Sequence, residues 1–186
     1  MSYFHSSDIE RVLITEEELK EATQKLGAQI TKDYEGKNLM IIGVLKGSVT
    51  FLVDLIRHIE LPLKMDFMAV SSYGAGVKTT GVVRILKDLD KPIEGMDILI
   101  VEDILDSGLT LSYLTAMLRE RQPASIRIAT LLDKPERRTA DIKPDYTCLT
   151  IPDEFVIGYG LDYDEQYRNL PFVGILSPKV YNKEGE

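Results

Sequence analysis

The chain has 186 residues, 44% hydrophobic and 28% charged, which suits one soluble α/β domain with a sizeable core. With 30 acidic against 22 basic residues it carries a formal net charge of −8, so counterion release offers nothing and a general nucleic-acid partner is excluded. No apolar run approaches membrane-spanning length, Met1–His5 lacks a signal pattern, and Cys148 is the sole cysteine; a cytoplasmic protein without a disulfide framework is expected.

Thr15-Glu16-Glu17-Glu18 is a capping box, with Ile14 and Leu19 placed as a hydrophobic staple. Leu19, Ala22, Leu26 and Ile30 predict the buried face of a helix reaching Tyr34, closed by Gly36. Leu39 to Val44 reads as a buried strand. Lys46-Gly47-Ser48 is a tight turn in which Ser48 is expected to cap a helix carrying Phe51, Leu52, Leu55 and Ile56, with His58 as a surface cation in its last turn. Leu63 to Val70 and Val82 to Leu86 predict a hairpin, whose glycine-punctuated tip from Ser71 to Gly81 reads as a mobile loop.

The run Ile98 to Val101 predicts a buried parallel strand, with Glu102 and Asp103 placed where it ends. Asp106-Ser107-Gly108-Leu109-Thr110 is a small polar turn, and Leu111, Leu114, Met117 and Leu118 then recur at helical spacing. A turn that opens a helix presents unpaired N–H groups and the positive end of the helix dipole, and Gly108 permits close approach. With the hydroxyls of Ser107 and Thr110 it suits a phosphate monoester, while the two carboxylates suit sugar hydroxyls. Phosphate beside a vicinal diol is a ribose 5-phosphate.

Ser125 to Leu132 predicts another buried strand, left by Asp133-Lys134-Pro135; Glu136 to Pro144 reads as a charged linker and Tyr146 to Ile151 as a strand with Cys148 packed in it. Asp153 to Tyr163 mixes aromatics, acids and glycines and reads as a shaped surface rather than a core element. Pro171 to Leu176 gives a last strand. Alternating strands and helices indicate a doubly wound, mostly parallel sheet, whose post-strand turns gather at the carboxyl edge.

These turns, in this order from about Val44 to Leu176, resemble those of the type I phosphoribosyltransferases, nearest the hypoxanthine-guanine branch. The resemblance implies that fold in a single domain spanning 1–186, with a small hood from the N- and C-terminal segments and a hairpin lid loop. It implies Mg²⁺-dependent transfer from 5-phosphoribosyl 1-pyrophosphate to a 6-oxopurine, by a homodimer or homotetramer in the cytoplasm. Glu102 and Asp103 would hold the ribose, partly through Mg²⁺, and Asp106, Ser107, Gly108, Leu109 and Thr110 would cradle the 5-phosphate. Leu109 stands where some relatives have lysine. Asp106 would also be the catalytic acid or base. Lys46 and Gly47, after a cis peptide at Leu45-Lys46, and Arg168 would take pyrophosphate. Lys134, Phe155 and Val156 would hold the purine, Ser72 and Tyr73 would begin the lid, and Asp162 would bind a second Mg²⁺. A xanthine- or guanine-preferring enzyme and a non-catalytic regulator of the same fold are the competing readings.

Overall fold

The computed structural model describes residues 7–72 and 83–181. Strand β1 (Ile9–Ile14) leads into helix α1 (Glu16–Asp33) through the expected capping box. Thr15 Oγ1 accepts from the Glu18 N–H at 3.2 Å, and Glu18 Oε2 accepts from the Thr15 N–H at 2.8 Å. Ile14 and Leu19 both lie in the core, and Gly36 adopts φ +73° just past the helix end. Gly27 joins the buried face because a Cβ there would lie 2.5 Å from the His58 Cβ.

That contact corrects the reading of His58. Helix α2 (Val49–Ile56) stops before it, and His58 is half-buried against α1 instead of serving as a cation in the last turn. Ser48 needs a second correction. It already has helical dihedrals, so its hydroxyl turns back to donate to Val44 O at 2.7 Å and caps nothing.

The main sheet has strand order β4–β3–β2–β5–β6–β7, comprising β2 (Leu39–Leu45), β3 (Lys64–Ser72), β4 (Val83–Lys87), β5 (Asp97–Leu105), β6 (Ser125–Asp133) and β7 (Tyr146–Thr150). Neighbours from β3 to β7 are parallel; β4 returns antiparallel on β3. Ile41, Leu99, Val101 and Leu131 pack with α1 and α2 on one face. The alternate residues Met40, Ile42, Ile98, Ile100 and Ile128 pack on the other face with Leu111, Leu114 and Leu118 of α3 (Leu109–Arg119). Burial on both faces explains why these strands read as continuous apolar runs. The chain winds outward from β2 to β3 and in the opposite sense from β5 to β6. A crevice therefore opens between β2 and β5 at their carboxyl ends.

Strand β5 extends through Leu105, with Glu102 opposite Thr130 and Ile104 opposite Leu132. The acidic pair thus lies inside the strand and not beyond its end, because pairing with β6 continues for a further turn's worth of residues. The reading of Asp153 to Tyr163 as surface is also corrected. Val156, Ile157, Tyr159 and Leu161 are buried, since β8 (Val156–Ile157) joins β9 (Val173–Leu176) and β1 in a three-stranded antiparallel hood. The hairpin pairs as far as Ser72 opposite Val83. The expected lid residue Tyr73, the rest of the tip (73–82) and the side chain of Ser72 lie outside the described residues. Helix α4 (Pro178–Tyr181) closes the described chain. Among the described residues no helix is long and apolar enough to cross a membrane.

Candidate active site

A cavity of about 340 Å³ occupies the crevice between β2 and β5. It brings together Lys46 and Gly47, the run from Glu102 to Gly108, Thr110, and from the hood Asp162 and Arg168. Three segments distant in sequence therefore line one cavity. Leu109 does not: its side chain points to solvent, leaving only its backbone for the turn.

The turn after β5 is held from behind. Gly108 sits at φ +82°, the left-handed geometry that opens α3. Arg138 donates through Nε to Asp106 O at 2.9 Å, through Nη2 to Leu105 O at 3.1 Å and through Nη1 to Ile142 O at 2.8 Å. Its guanidinium also pairs with the Asp133 carboxylate. The N–H groups of Thr139 and Ala140 both donate to Ser107 O at 3.0 Å. The carbonyls of 105–107 are thus committed to the segment behind, while the first amides of α3 have no intrahelical acceptor to reach. An anion is the matching ligand. The stretch Glu136 to Pro144 is accordingly no mere linker. The short 3₁₀ turn Pro135–Arg137 delivers Arg138 to the turn, and no pattern in the sequence marks that arginine among its charged neighbours.

On the opposite wall the peptide Leu45–Lys46 is cis. The following Gly47 is wedged between two segments. A Cβ on it would lie 1.6 Å from Asp103 Oδ2, and a Cβ on Gly160 would lie 2.1 Å from Gly47 O. Asp103, Gly47 and Gly160 form a stack with no room for a side chain. Gly160 also has φ +103°, so the position is closed to other residues twice over.

Burial pushes the Glu102 carboxyl well above its ordinary range, and the Asp103 charge pushes it further. Burial raises Asp103 to about 6, partly countered by the Ile104 N–H that donates to its Oδ1 at 2.7 Å. Asp106 Oδ1 and Arg168 Nε are buried without a hydrogen bond, although Arg137 Nε approaches Asp106 Oδ1 to 3.4 Å. Both residues line this cavity, an acceptor and a donor left over in one place. Arg168 is otherwise well held: Nη1 donates to Gly160 O at 2.8 Å and Nη2 pairs with Asp162 at 2.8 Å.

Lys134, Phe155 and Val156 are not in the cavity wall, though Lys134 reaches the strand entry that carries the other two. Lys134 is buried, and its Nζ donates to Glu154 O, the carbonyl just before Phe155. Burial lowers its pKa against the opposing pull of Asp106 and Asp153. Phe155 is 43% exposed, edge-on to Tyr163 at 5.7 Å and stacked with Tyr181 at 5.5 Å. The aromatic contact of Tyr181 was absent from the sequence reading, since a single tyrosine at the end of a short segment carries no signal.

Residues 12–164 match the phosphoribosyl transferase domain family. The hypoxanthine-guanine phosphoribosyltransferases of Lactococcus lactis and Bacillus subtilis are each 57% identical to the chain, covering 94% of it and 95% and 97% of their own lengths. The chain belongs to the hypoxanthine-guanine phosphoribosyltransferase family. A crystal structure of a hypoxanthine phosphoribosyltransferase from Staphylococcus aureus superposes with a TM-score of 0.92 at 54% identity, covering 94% of this chain and 95% of that one. Membership of this family bears out the type I fold and a parallel sheet with the crevice at its carboxyl edge.

Proposed function

We propose that the chain transfers the 5-phosphoribosyl group of 5-phosphoribosyl 1-pyrophosphate to N9 of hypoxanthine, and of guanine, releasing pyrophosphate in purine salvage. The observation that supports this most is the single cavity joining an anion-receptive helix start, a buried acidic pair and a glycine loop flanked by Lys46 and Arg168. The names of the relatives agree with it.

Breaking the C1–O bond leaves positive charge on the sugar and negative charge on pyrophosphate, so fixed charges and dipoles must do most of the work. The amides of 106–110 grip the 5-phosphate and set the ribose ring against Glu102 and Asp103. Lys46, the Gly47 amide and Arg168 receive the departing pyrophosphate. Asp106, whose Oδ1 accepts no hydrogen bond, takes the proton from the purine as N9 attacks. Lys134 donates to the 6-oxo group; adenine presents a donor there, and two facing donors lose affinity. Phe155 stacks on the ring and the Val156 main chain reads its edge.

The donor set fits Mg²⁺. Glu102 and Asp103 are oxygen donors that face the cavity from the end of β5, the hard ligand type that Mg²⁺ takes. Glu102, Asp103 and, for a second ion, Asp162 would hold it, and when bound it would neutralise charge between ribose and pyrophosphate oxygens. The chain would work as a homo-oligomer in the cytoplasm.

The test is an assay with the phosphoribosyl donor, Mg²⁺ and each of hypoxanthine, guanine, xanthine and adenine. Turnover is expected with the first two, none with adenine, and none with EDTA. Asp106→Asn should lower kcat by roughly 10² to 10⁴ while donor binding changes far less. Equal losses in both would remove the general-base role, and turnover without metal would contradict the charge argument.

A further inference from the structure

The residues between Asp162 and Arg168 form a tight hairpin that the mechanism above leaves unused. Tyr163 and Gln166 exchange backbone hydrogen bonds at 3.3 and 3.0 Å across a two-residue turn. The turn residues Asp164 and Glu165 have φ +51° and +60°, both left-handed. A turn of this kind favours Asn or Gly, because a side chain in that region strains the backbone. Here the chain places Asp-Glu at both central positions. Strain kept at a surface turn beside a cavity is a sign that the side chain is used.

What the turn does with Glu165 is specific. Its Oε2 lies 2.7 Å from Lys46 Nζ, across 119 residues of sequence, and its Oε1 lies 3.4 Å from Arg168 Nη2. Its N–H donates to Asp162 Oδ2 at 3.0 Å, which fixes the turn to the residue that Arg168 also pairs with. One carboxylate therefore bridges the two cations assigned above to pyrophosphate. Asp164, one residue earlier, has no ion pair or hydrogen bond to either cation.

We infer that Glu165 is an internal stand-in for pyrophosphate, an anion that neutralises Lys46 and Arg168 and must be displaced when the ligand binds. It thereby sets how tightly the donor and the pyrophosphate product are held. This rests on the pyrophosphate assignment of Lys46 and Arg168. The Lys46 pair is exposed on both sides and Glu165 itself is exposed, so the competition is modest: enough to loosen the product without closing the site to the donor. Because bound pyrophosphate must leave before the next cycle, weaker holding favours release.

The experiment measures magnesium pyrophosphate binding by calorimetry, and product inhibition by pyrophosphate, on four variants of the full chain. Glu165→Gln keeps the shape and removes the charge; it should tighten pyrophosphate roughly two- to fivefold, with a parallel fall in KM for the phosphoribosyl donor. Asp164→Asn makes the same charge change beside the pairs and should shift pyrophosphate affinity much less. Equal tightening by both variants would reduce the effect to net charge and overturn the inference, as would unchanged or weaker binding in Glu165→Gln. Lys46→Ala and Arg168→Ala should each weaken pyrophosphate. If they do and Glu165→Gln changes nothing, only the inference about Glu165 falls; if they do not, the pyrophosphate assignment falls and takes it along.

Discussion

The two walls of the cavity are built in opposite ways. On the sheet side, the turn from Leu105 to Gly108 continues a buried parallel strand and is pinned by Arg138, Thr139 and Ala140 through backbone carbonyls. On the hood side, Asp162 to Arg168 is a hairpin with left-handed residues, whose ion pair to the turn after β2, Glu165 with Lys46, is exposed. Carbonyls committed to a buried guanidinium cannot swing round, so the sheet-side wall keeps one shape. Exposed pairs exchange readily with solvent and with other anions. The part of the substrate that stays attached through the reaction, the 5-phosphate, is assigned to the fixed wall. The leaving pyrophosphate is assigned to the adjustable one.

The sharpest way to break this contrast is at the seam. Gly47→Ala puts a methyl where Asp103 Oδ2 now lies, and with Gly160 packed behind it the loop can retreat in neither direction. Turnover should fall about a hundredfold or more, as expected for a displacement of an ångström at a reacting centre. The melting temperature should change little, since the loop is peripheral to both core layers. A variant with full activity would show that the seam gives way.

Removing the clamp tests the fixed wall next. Arg138→Met leaves the Leu105, Asp106 and Ile142 carbonyls and the Asp133 carboxylate without their partner. Breaking a buried pair of this kind costs about 3 kcal/mol, a drop of roughly 6–12 °C in melting temperature. The distinguishing readout is binding. Affinity for ribose 5-phosphate should fall roughly tenfold while affinity for magnesium pyrophosphate holds, because one phosphate contact is worth about a factor of ten. Equal losses for both ligands would mean that Arg138 merely supports the fold.

The smallest effect is expected away from both walls. Cys148 borders a groove between α1 and β7, and burial pushes its thiol up to about 12. At pH 8 the thiolate is then a minute fraction, so a thiol reagent should react with the native protein orders of magnitude more slowly than with the denatured chain. Rapid native reaction without loss of activity would show that β7 opens independently of the site.

Much of this was legible in the sequence because it is local. The capping box at Thr15, the apolar runs of β2, β5 and β6, the helical spacing of Leu111, Leu114 and Leu118, and the acid-then-hydroxyl turn at 102–110 all lie within a few residues of one another. Strand pitch and helix pitch write themselves into that range. The misreadings came where neighbours distant in the chain decide. β5 runs on past its acidic pair because β6 pairs with it, and 153–163 is buried because β1 and β9 enclose it.

The amino-acid order alone determined the strands of the main sheet and the helices that pack on it, and marked the polar turn that opens α3. Only the tertiary arrangement decided that Arg138 grips that turn from 32 residues away, that Gly47 is trapped between Asp103 and Gly160, and that Glu165 reaches Lys46. Side-chain periodicity reports an element's own faces. What stands across a crevice depends on a strand order that departs from chain order, and no local pattern encodes it.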